Sequence, residues 1–330
     1  MNLVINTYGT YLHIKDDMFE VIIPQENGGK RKHYFAFRKV KSIFVSKGTA
    51  LSTDAIMAAV KNNIDIVVLE RNGMPVGRFW HSRPGSTTRI RKKQLEASIG
   101  PEGVKWVKEW LVRKSDNQID FMKRLKKHRT SKAGLIDEHI RKLSELREKI
   151  MQTEGQNIRE VEESLRGREG TAGRLYFGLL SQLLPERYRF NGRSFRPAKD
   201  PFNAFLNYAY GILYSRVEHA LVIAGLDPYT GFMHRDDYNT KSLVFDFIEP
   251  YRIMAEEVVF KLFSGKKVND KHTDKITGGY SLNADGKALL TQHFFKFFEE
   301  DKIRYKGRNL TRATALQLDA HAFAQELLKS

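Results

Sequence analysis

The chain has 330 residues, with 56 Lys and Arg against 39 Asp and Glu, a formal net charge of +17. A hydrophobic share of 41% supports a real core and excludes global disorder, while a surface this basic points to a polyanion, nucleic acid above all. The absence of cysteine excludes disulfides and thiolate-bound zinc. No apolar run long enough to cross a membrane and no signal-peptide pattern are read, so a cytoplasmic location and no membrane partner are expected.

Residues 11–14, 19–23, 34–37 and 42–45 are short β-branched and aromatic runs separated by turn residues such as Asn27-Gly28-Gly29, which predicts strands. Thr53 is placed to cap a helix over 54–62, with Ala55, Ile56, Ala59 and Val60 on one face. A strand over 64–69, a turn at Asn72-Gly73 and a strand over 76–80 follow. Gly, Pro, Ser and Thr then cluster at 82–88, which reads as a linker, with the basic run of Arg89, Arg91, Lys92 and Lys93 directly after it.

Beyond that point the periodicity becomes helical, over 104–112, 119–127, 135–151 and 172–184. Asp200-Pro201 opens a further helix that runs to Gly225, Asp as N-cap and Pro in the first turn. Helix continues over 255–263, 287–298 and 311–328. The expected fold class is α+β: a small β-rich N-terminal domain (1–82), a linker (83–90) and a larger all-α domain (91–330). The positive excess is +5 up to residue 85 and +12 beyond it, so any DNA-binding surface belongs to folded elements.

The chemistry-bearing residues are few. Asp246 and Glu249 lie three apart among Leu243, Val244, Phe245, Phe247 and Ile248, on one face if the stretch is helical. Acids in such company either hold a cation or pair with a neighbour such as Arg252. Pro250 lacks the N–H that would bond to the carbonyl of Asp246, so a kink is expected there. His234 follows a turn-rich segment; it is either a surface residue or a ligand that reaches the same point as Asp246. Glu169, between Gly167 and Gly170, either serves the N-terminus of the helix over 172–184 or ligates an ion. Arg166, Arg168 and Arg174 flank it and suit phosphate contact. Two or three carboxylates with one imidazole suit Mg²⁺ or Mn²⁺, and such an ion on a basic surface suits phosphodiester chemistry. No P-loop, H-E-x-x-H or G-x-S-x-G sequence offers another route. The basic run over 123–129 reads as a solvated helical face or a phosphate grip, and Tyr208, Tyr210 and Tyr214 read as packing residues.

These segments together resemble the CRISPR adaptation integrase, the universal CRISPR-associated endonuclease of spacer acquisition. The likeness rests on Glu169, Gly170, Ala172, Gly173, Arg174, Tyr176 and Phe177; on the Asp-Pro-x-Asn-Ala-x-Leu-Asn-Tyr run over 200–208; on Gly231 to His234; and on Ser242 to Arg252. It departs only at Gly173 and Phe247, neither a proposed ligand. The resemblance implies that Glu169, His234 and Glu249 are the metal ligands, with Asp246 an assisting acid; Arg174 and Arg252 read as contacts to the phosphate or behind the ligands, Arg252 equally as the structural partner of an acid. It implies a homodimer formed through the β domain, and two such dimers flanking a dimer of a small ferredoxin-like partner. The assembly would hold a short double-stranded DNA fragment and join it to the CRISPR array by 3′-hydroxyl transesterification at repeat ends, with no covalent protein–DNA intermediate. The competing readings are a general metal-dependent nuclease for branched or damaged DNA and a non-catalytic DNA-binding scaffold.

Overall fold

The structure, a computed structural model, describes residues 1–25, 27–70, 73–79, 87–234 and 240–329. In chain order the N-terminal part comprises β1 (Asn2–Ile5), β2 (Tyr11–Lys15), β3 (Met18–Pro24), β4 (Lys30–Ala36), β5 (Ser42–Ser46), β6 (Ala50–Leu51), α1 (Thr53–Lys61), β7 (Asp65–Leu69) and β8 (Pro75–Phe79). The strands form two four-stranded sheets, ordered β1-β5-β7-β8 and β4-β3-β2-β6. In the first, β1, β5 and β7 are parallel and β8 returns antiparallel. Alternation along β5 explains the layering. Ile43 and Val45 join Leu12, Phe19, Ala55, Ala59 and Ile66 in one buried cluster. Phe44, pointing the other way, packs with Val67, Leu69 and the distant Phe295.

The sequence signals found four of the eight strands over 11–45 and two more over 64–80, but not β1 or β6. β6 has two residues, too few to show a period. Ser52, not Thr53, caps α1: its backbone is extended and its hydroxyl accepts the Ala55 N–H at 3.1 Å. The Asn72 half of the expected turn, residue Trp80 and positions 82–86 of the expected linker lie outside the described residues. The last three linker positions are helical, because α2 (Thr88–Ile99) already begins there, its Ile90, Gln94 and Ala97 spaced along an inward face.

The C-terminal part continues with α3 (Pro101–Lys126), α4 (Ala133–Met151), α5 (Ile158–Leu183), α6 (Pro201–Ile223), α7 (Ser242–Phe247), a 3₁₀ turn at Glu249–Tyr251 and α8 (Arg252–Ser264). Then come β9 (Thr273–Ile276), β10 (Gly279–Leu282), α9 (Ala284–Phe295), β11 (Lys302–Tyr305), β12 (Arg308–Thr311) and α10 (Arg312–Leu327). This larger region is helical as expected, yet it also carries two antiparallel hairpins, which corrects the all-α reading. Four-residue strands show no clear alternation; the second hairpin's trace in sequence is Lys306-Gly307, both at positive φ in its turn. The stretches read as helices over 104–112 and 119–127 are one helix, α3.

Helix α6 is the axis of the molecule. Asp200 caps it by accepting the Asn203 N–H at 2.8 Å, and Pro201 fills its first turn. Apolar residues face nearly every direction around it, as befits a helix surrounded by protein. One side receives the β part. Arg216 of α6 donates to the Ser42 hydroxyl at 3.0 Å and to Glu299 at 2.5 Å. Arg78 of β8 donates to the Ser215 carbonyl at 2.8 Å and pairs with Asp65 at 3.2 Å. The approach is closest at Gly211, where a Cβ would stand 2.1 Å from the Gly73 carbonyl oxygen. Backbone cannot yield there as a flexible side chain would. Gly211→Ala is therefore expected to lower unfolding free energy by about 1–3 kcal/mol, measured by urea denaturation.

Candidate active site

Glu169 stands in the middle of α5, not at a helix N-terminus. The inward positions Ile158, Val161, Leu165, Ala172, Tyr176 and Leu180 carry the helical period straight through the glycine-rich segment, so packing overrides the low propensity of Gly167, Gly170 and Gly173. This corrects the expectation of a helix starting near residue 172. The glutamate faces Lys114 of α3, whose ammonium lies 2.7 Å from Glu169 Oε1 and 2.6 Å from Glu249 Oε2. On its other oxygen, Glu249 accepts from Arg252 Nε at 2.7 Å. The Arg252 guanidinium stacks over the rings of Tyr210 and Tyr214, 5.0 and 5.6 Å from their centroids. One lysine thus bridges acids that are 80 positions apart in sequence.

The expected kink is present: α7 ends at Phe247, Pro250 lies in the 3₁₀ turn, and α8 begins at Arg252. Asn117 of α3 donates to the Pro250 carbonyl at 2.7 Å and fixes the turn. The break sends Asp246 and Glu249 to different partners. Asp246 accepts the N–H groups of Phe232 (2.6 Å), Met233 (3.1 Å) and His234 (3.1 Å), and lies 2.6 Å from His234 Nδ1. Its acceptor capacity is spent on shaping the loop and on holding the imidazole by Nδ1, which leaves Nε2 as the outward donor atom. Gly231 is required by space: a Cβ would meet Ser242 at 2.5 Å. Gln94 of α2 secures the loop's approach, donating to the carbonyls of Asp227 (2.8 Å) and Thr230 (2.7 Å).

The electrostatics follow from this pairing. Burial raises the Glu249 carboxyl, but Arg252 and Lys114 outweigh it and hold the group at about 2. Burial lowers Lys114, and Glu249 and Glu169 more than reverse that, so the ammonium stays protonated. Burial likewise lowers His234, and the bond to Asp246 with the nearby acids raises it above its usual value. Behind them burial pushes the carboxyl of Glu256 up, although the Tyr210 hydroxyl donates to it at 2.7 Å. Lys114, Glu169, Arg174, Arg193, Arg252 and Glu256 line one cleft of about 640 Å³.

The donor chemistry fits a hard divalent ion: two carboxylates and an imidazole, with Glu249 Oε2 buried against the Lys114 ammonium. The geometry is not closed around one point. Among the described residues no three His, Asp or Glu side chains converge as a ready ion site, and a lysine stands between two of the expected ligands.

The expected phosphate contacts divide. Arg174 is exposed at the cleft, bonded only to Thr171 at 3.0 Å. Arg166 braces the histidine loop through the Met233 carbonyl at 2.9 Å. Arg168 bonds to the end of α4 through one guanidinium nitrogen, at the Lys149 carbonyl and Thr153. Arg252 is the buried partner of Glu249. Arg89, Arg91 and Lys92 are exposed on α2, and Lys93 pairs with Glu96 at 3.0 Å. The sequence reading missed Lys114, Asn117, Gln94 and Glu256. Their trace was polar residues on otherwise apolar helix faces, as at Ser115 and Gln118 in α3. Asp246→Ala would leave three amide N–H groups without an acceptor. It is expected to cost about 1–3 kcal/mol in unfolding free energy, measured by urea denaturation.

The model of the family described as CRISPR associated protein Cas1 matches residues 3–296. A curated relative from Archaeoglobus fulgidus, CRISPR-associated endonuclease Cas1 1, is 33% identical, with 97% of this chain and 94% of that protein covered. Among solved structures, a casposase bound to its integration product superposes with a TM-score of 0.84 at 20% identity, covering 99% of this chain and 90% of that one. A Cas6-RT-Cas1–Cas2 complex superposes at 0.78 and 20% identity, covering 99% of this chain and 35% of that one. At those identities the two structures share the fold.

Proposed function

The chain belongs to the Cas1 family, and from that premise we propose that it is a metal-dependent DNA integrase and endonuclease of CRISPR adaptation. In this reading it inserts short duplex fragments as spacers into the array, with the 3′-hydroxyl of the fragment attacking a phosphodiester at a repeat end. The observation that carries the proposal is the pairing of Glu169 and Glu249 about one cation on the wall of an arginine-lined cleft. Carboxylates are a poor surface for a phosphodiester unless they hold positive charge against it.

Glu169, Glu249 and His234 Nε2 would hold Mg²⁺ or Mn²⁺. Such an ion polarises the scissile phosphate, favours the ionised attacking hydroxyl and neutralises the leaving oxygen. Asp246 positions the imidazole through Nδ1, and Arg252 fixes one oxygen of Glu249 so that the other faces Lys114. Arg174, at the open side of the cleft, orients the phosphate. The attacking group belongs to the DNA, so no serine or tyrosine nucleophile is required.

The partners we propose are double-stranded DNA, a second copy joined through the β part (residues 1–82), and a small ferredoxin-like adaptation protein. Two dimers of the chain would flank one dimer of that partner. This geometry supplies what two-ended integration needs, two active sites at fixed separation. The chain shares its fold with a casposase bound to its integration product and with a Cas6-RT-Cas1–Cas2 complex, which supports DNA and an adaptation protein as partners. Residues 91–330 would carry metal and DNA.

The decisive assay is strand joining in Mn²⁺, with a duplex bearing free 3′-hydroxyls and a target containing a repeat. Glu169→Ala, His234→Ala and Glu249→Ala are each expected to reduce joining by at least ~100-fold while duplex binding persists. Cleavage without joining would assign a general nuclease, and joining retained in all three variants would remove the site. Duplex binding itself is expected to weaken steeply with salt, log K falling linearly with log salt concentration. A flat response in fluorescence anisotropy would contradict a phosphate-tracking surface.

A further inference from the structure

The lysine between the acids has no part in the scheme above, and its placement gives it one. Lys114 Nζ sits within 2.7 Å of Glu169 and 2.6 Å of Glu249, on the Glu249 oxygen that Arg252 does not hold. Its side chain is 13% exposed, and both of its ion partners are expected metal ligands. Arg252 contacts the same glutamate differently: it takes the other oxygen and lies over two tyrosine rings, whereas the Lys114 ammonium is held by the two acids. The lysine also borders the cleft, so rotation of its four-carbon stem carries the ammonium toward any phosphate held there beside Arg174. An ammonium and a divalent ion cannot share the space between two carboxylates without strong repulsion.

We infer that Lys114 is a built-in competitor for the divalent ion, holding the place between Glu169 and Glu249 until DNA phosphate draws it aside. The inference rests on the reading that these acids are ligands. It makes metal binding weak in the free protein and tight in the DNA complex, and by linkage makes DNA binding tighter when metal is present. Lys114 acts through the acids and is a positioning residue.

The test is Mn²⁺ binding to the intact protein without DNA, followed by electron paramagnetic resonance of free Mn²⁺. Lys114→Met, which keeps the stem and removes the charge, is expected to bind Mn²⁺ at least ~10-fold tighter than wild type. Lys114→Gln, which keeps a donor between the acids, is expected to tighten binding in the same direction. Lys114→Arg is expected to stay weak. Removing a ligand by Glu249→Gln is expected to weaken Mn²⁺ binding in every background. If both neutral variants bind no tighter than wild type while Glu249→Gln still weakens binding, the competition is overturned and the ligand assignment stands. If Glu249→Gln leaves binding unchanged, the ligand assignment falls and the inference with it. Should the neutral variants fail to fold, wild type alone decides. A saturating duplex must tighten Mn²⁺ binding by ~10-fold or more, and no such coupling would overturn the proposal.

Discussion

Glu249 is only 2% exposed, and a carboxylate taken that far from water must be matched by positive charge or give up its ionisation. Here it is matched twice, by Arg252 on one oxygen and Lys114 on the other. That requirement governs much of the surrounding construction. Helix α3 must pass close enough to present Lys114, and it is held there by Asn117 on the Pro250 carbonyl. The turn must present Glu249, and Tyr251, two residues on, donates to Asp319 of α10 at 2.7 Å. Arg113, beside Lys114, reaches the same Asp319 oxygen at 2.9 Å. The C-terminal helix therefore braces both the acid and its cation from behind, which is the support that a precise constellation requires.

Asp246 and Glu249 show how a short break divides labour between neighbouring acids. In an unbroken helix the two would share a face and compete for one cation. The proline turn at 249–251 separates them. Asp246 is turned toward three amides and an imidazole, which occupy its acceptor positions. Glu249 is turned toward α3 and α5. The aromatic stack of Trp110, Phe232, Phe247 and Phe323 lies between these two arrangements and gives both a rigid wall. The histidine loop is thus tied at its two ends by different means, Gln94 near residues 227–230 and Asp246 at 232–234.

Much of the scaffold was legible in sequence because it is local. The Asp200-Pro201 start of α6, the period of α4 and the β-branched and aromatic runs of β2, β3 and β5 depend on neighbours a few residues away. The acids and the histidine were legible as chemical oddities in apolar or turn-rich surroundings, and the family resemblance ordered them. What stayed hidden is long-range. Lys114 is one cation among 56 in the chain, and only its meeting with residues 55 and 135 positions away distinguishes it. The upstream half of α5 was hidden for a different reason. Its glycines argue locally for a break, while the packing of Ile158, Val161 and Leu165 argues for helix, and packing carries more free energy than propensity. The short hairpins were lost because four-residue strands leave too little pattern.

The placement of charge around the cleft unites the basic composition with an acidic centre. Glu169 and Glu249 are neutralised inside the protein by Lys114 and Arg252, and burial drives Glu256 toward its protonated form. Arg193 donates to the neutral side-chain amides of Asn203 and Asn207, with Glu256 and Asp200 nearby, and Arg174 faces solvent. The sum at the mouth of the cleft is positive even though acids form part of its wall. A phosphodiester meets attraction first and carboxylates only after their charge has been cancelled. In the proposed scheme, exchange of a monovalent lysine for a divalent ion would add positive charge where a phosphoryl group would lie, and the released ammonium would add another at its side. Each step would increase the affinity for the next and couple metal and nucleic acid through one carboxylate oxygen.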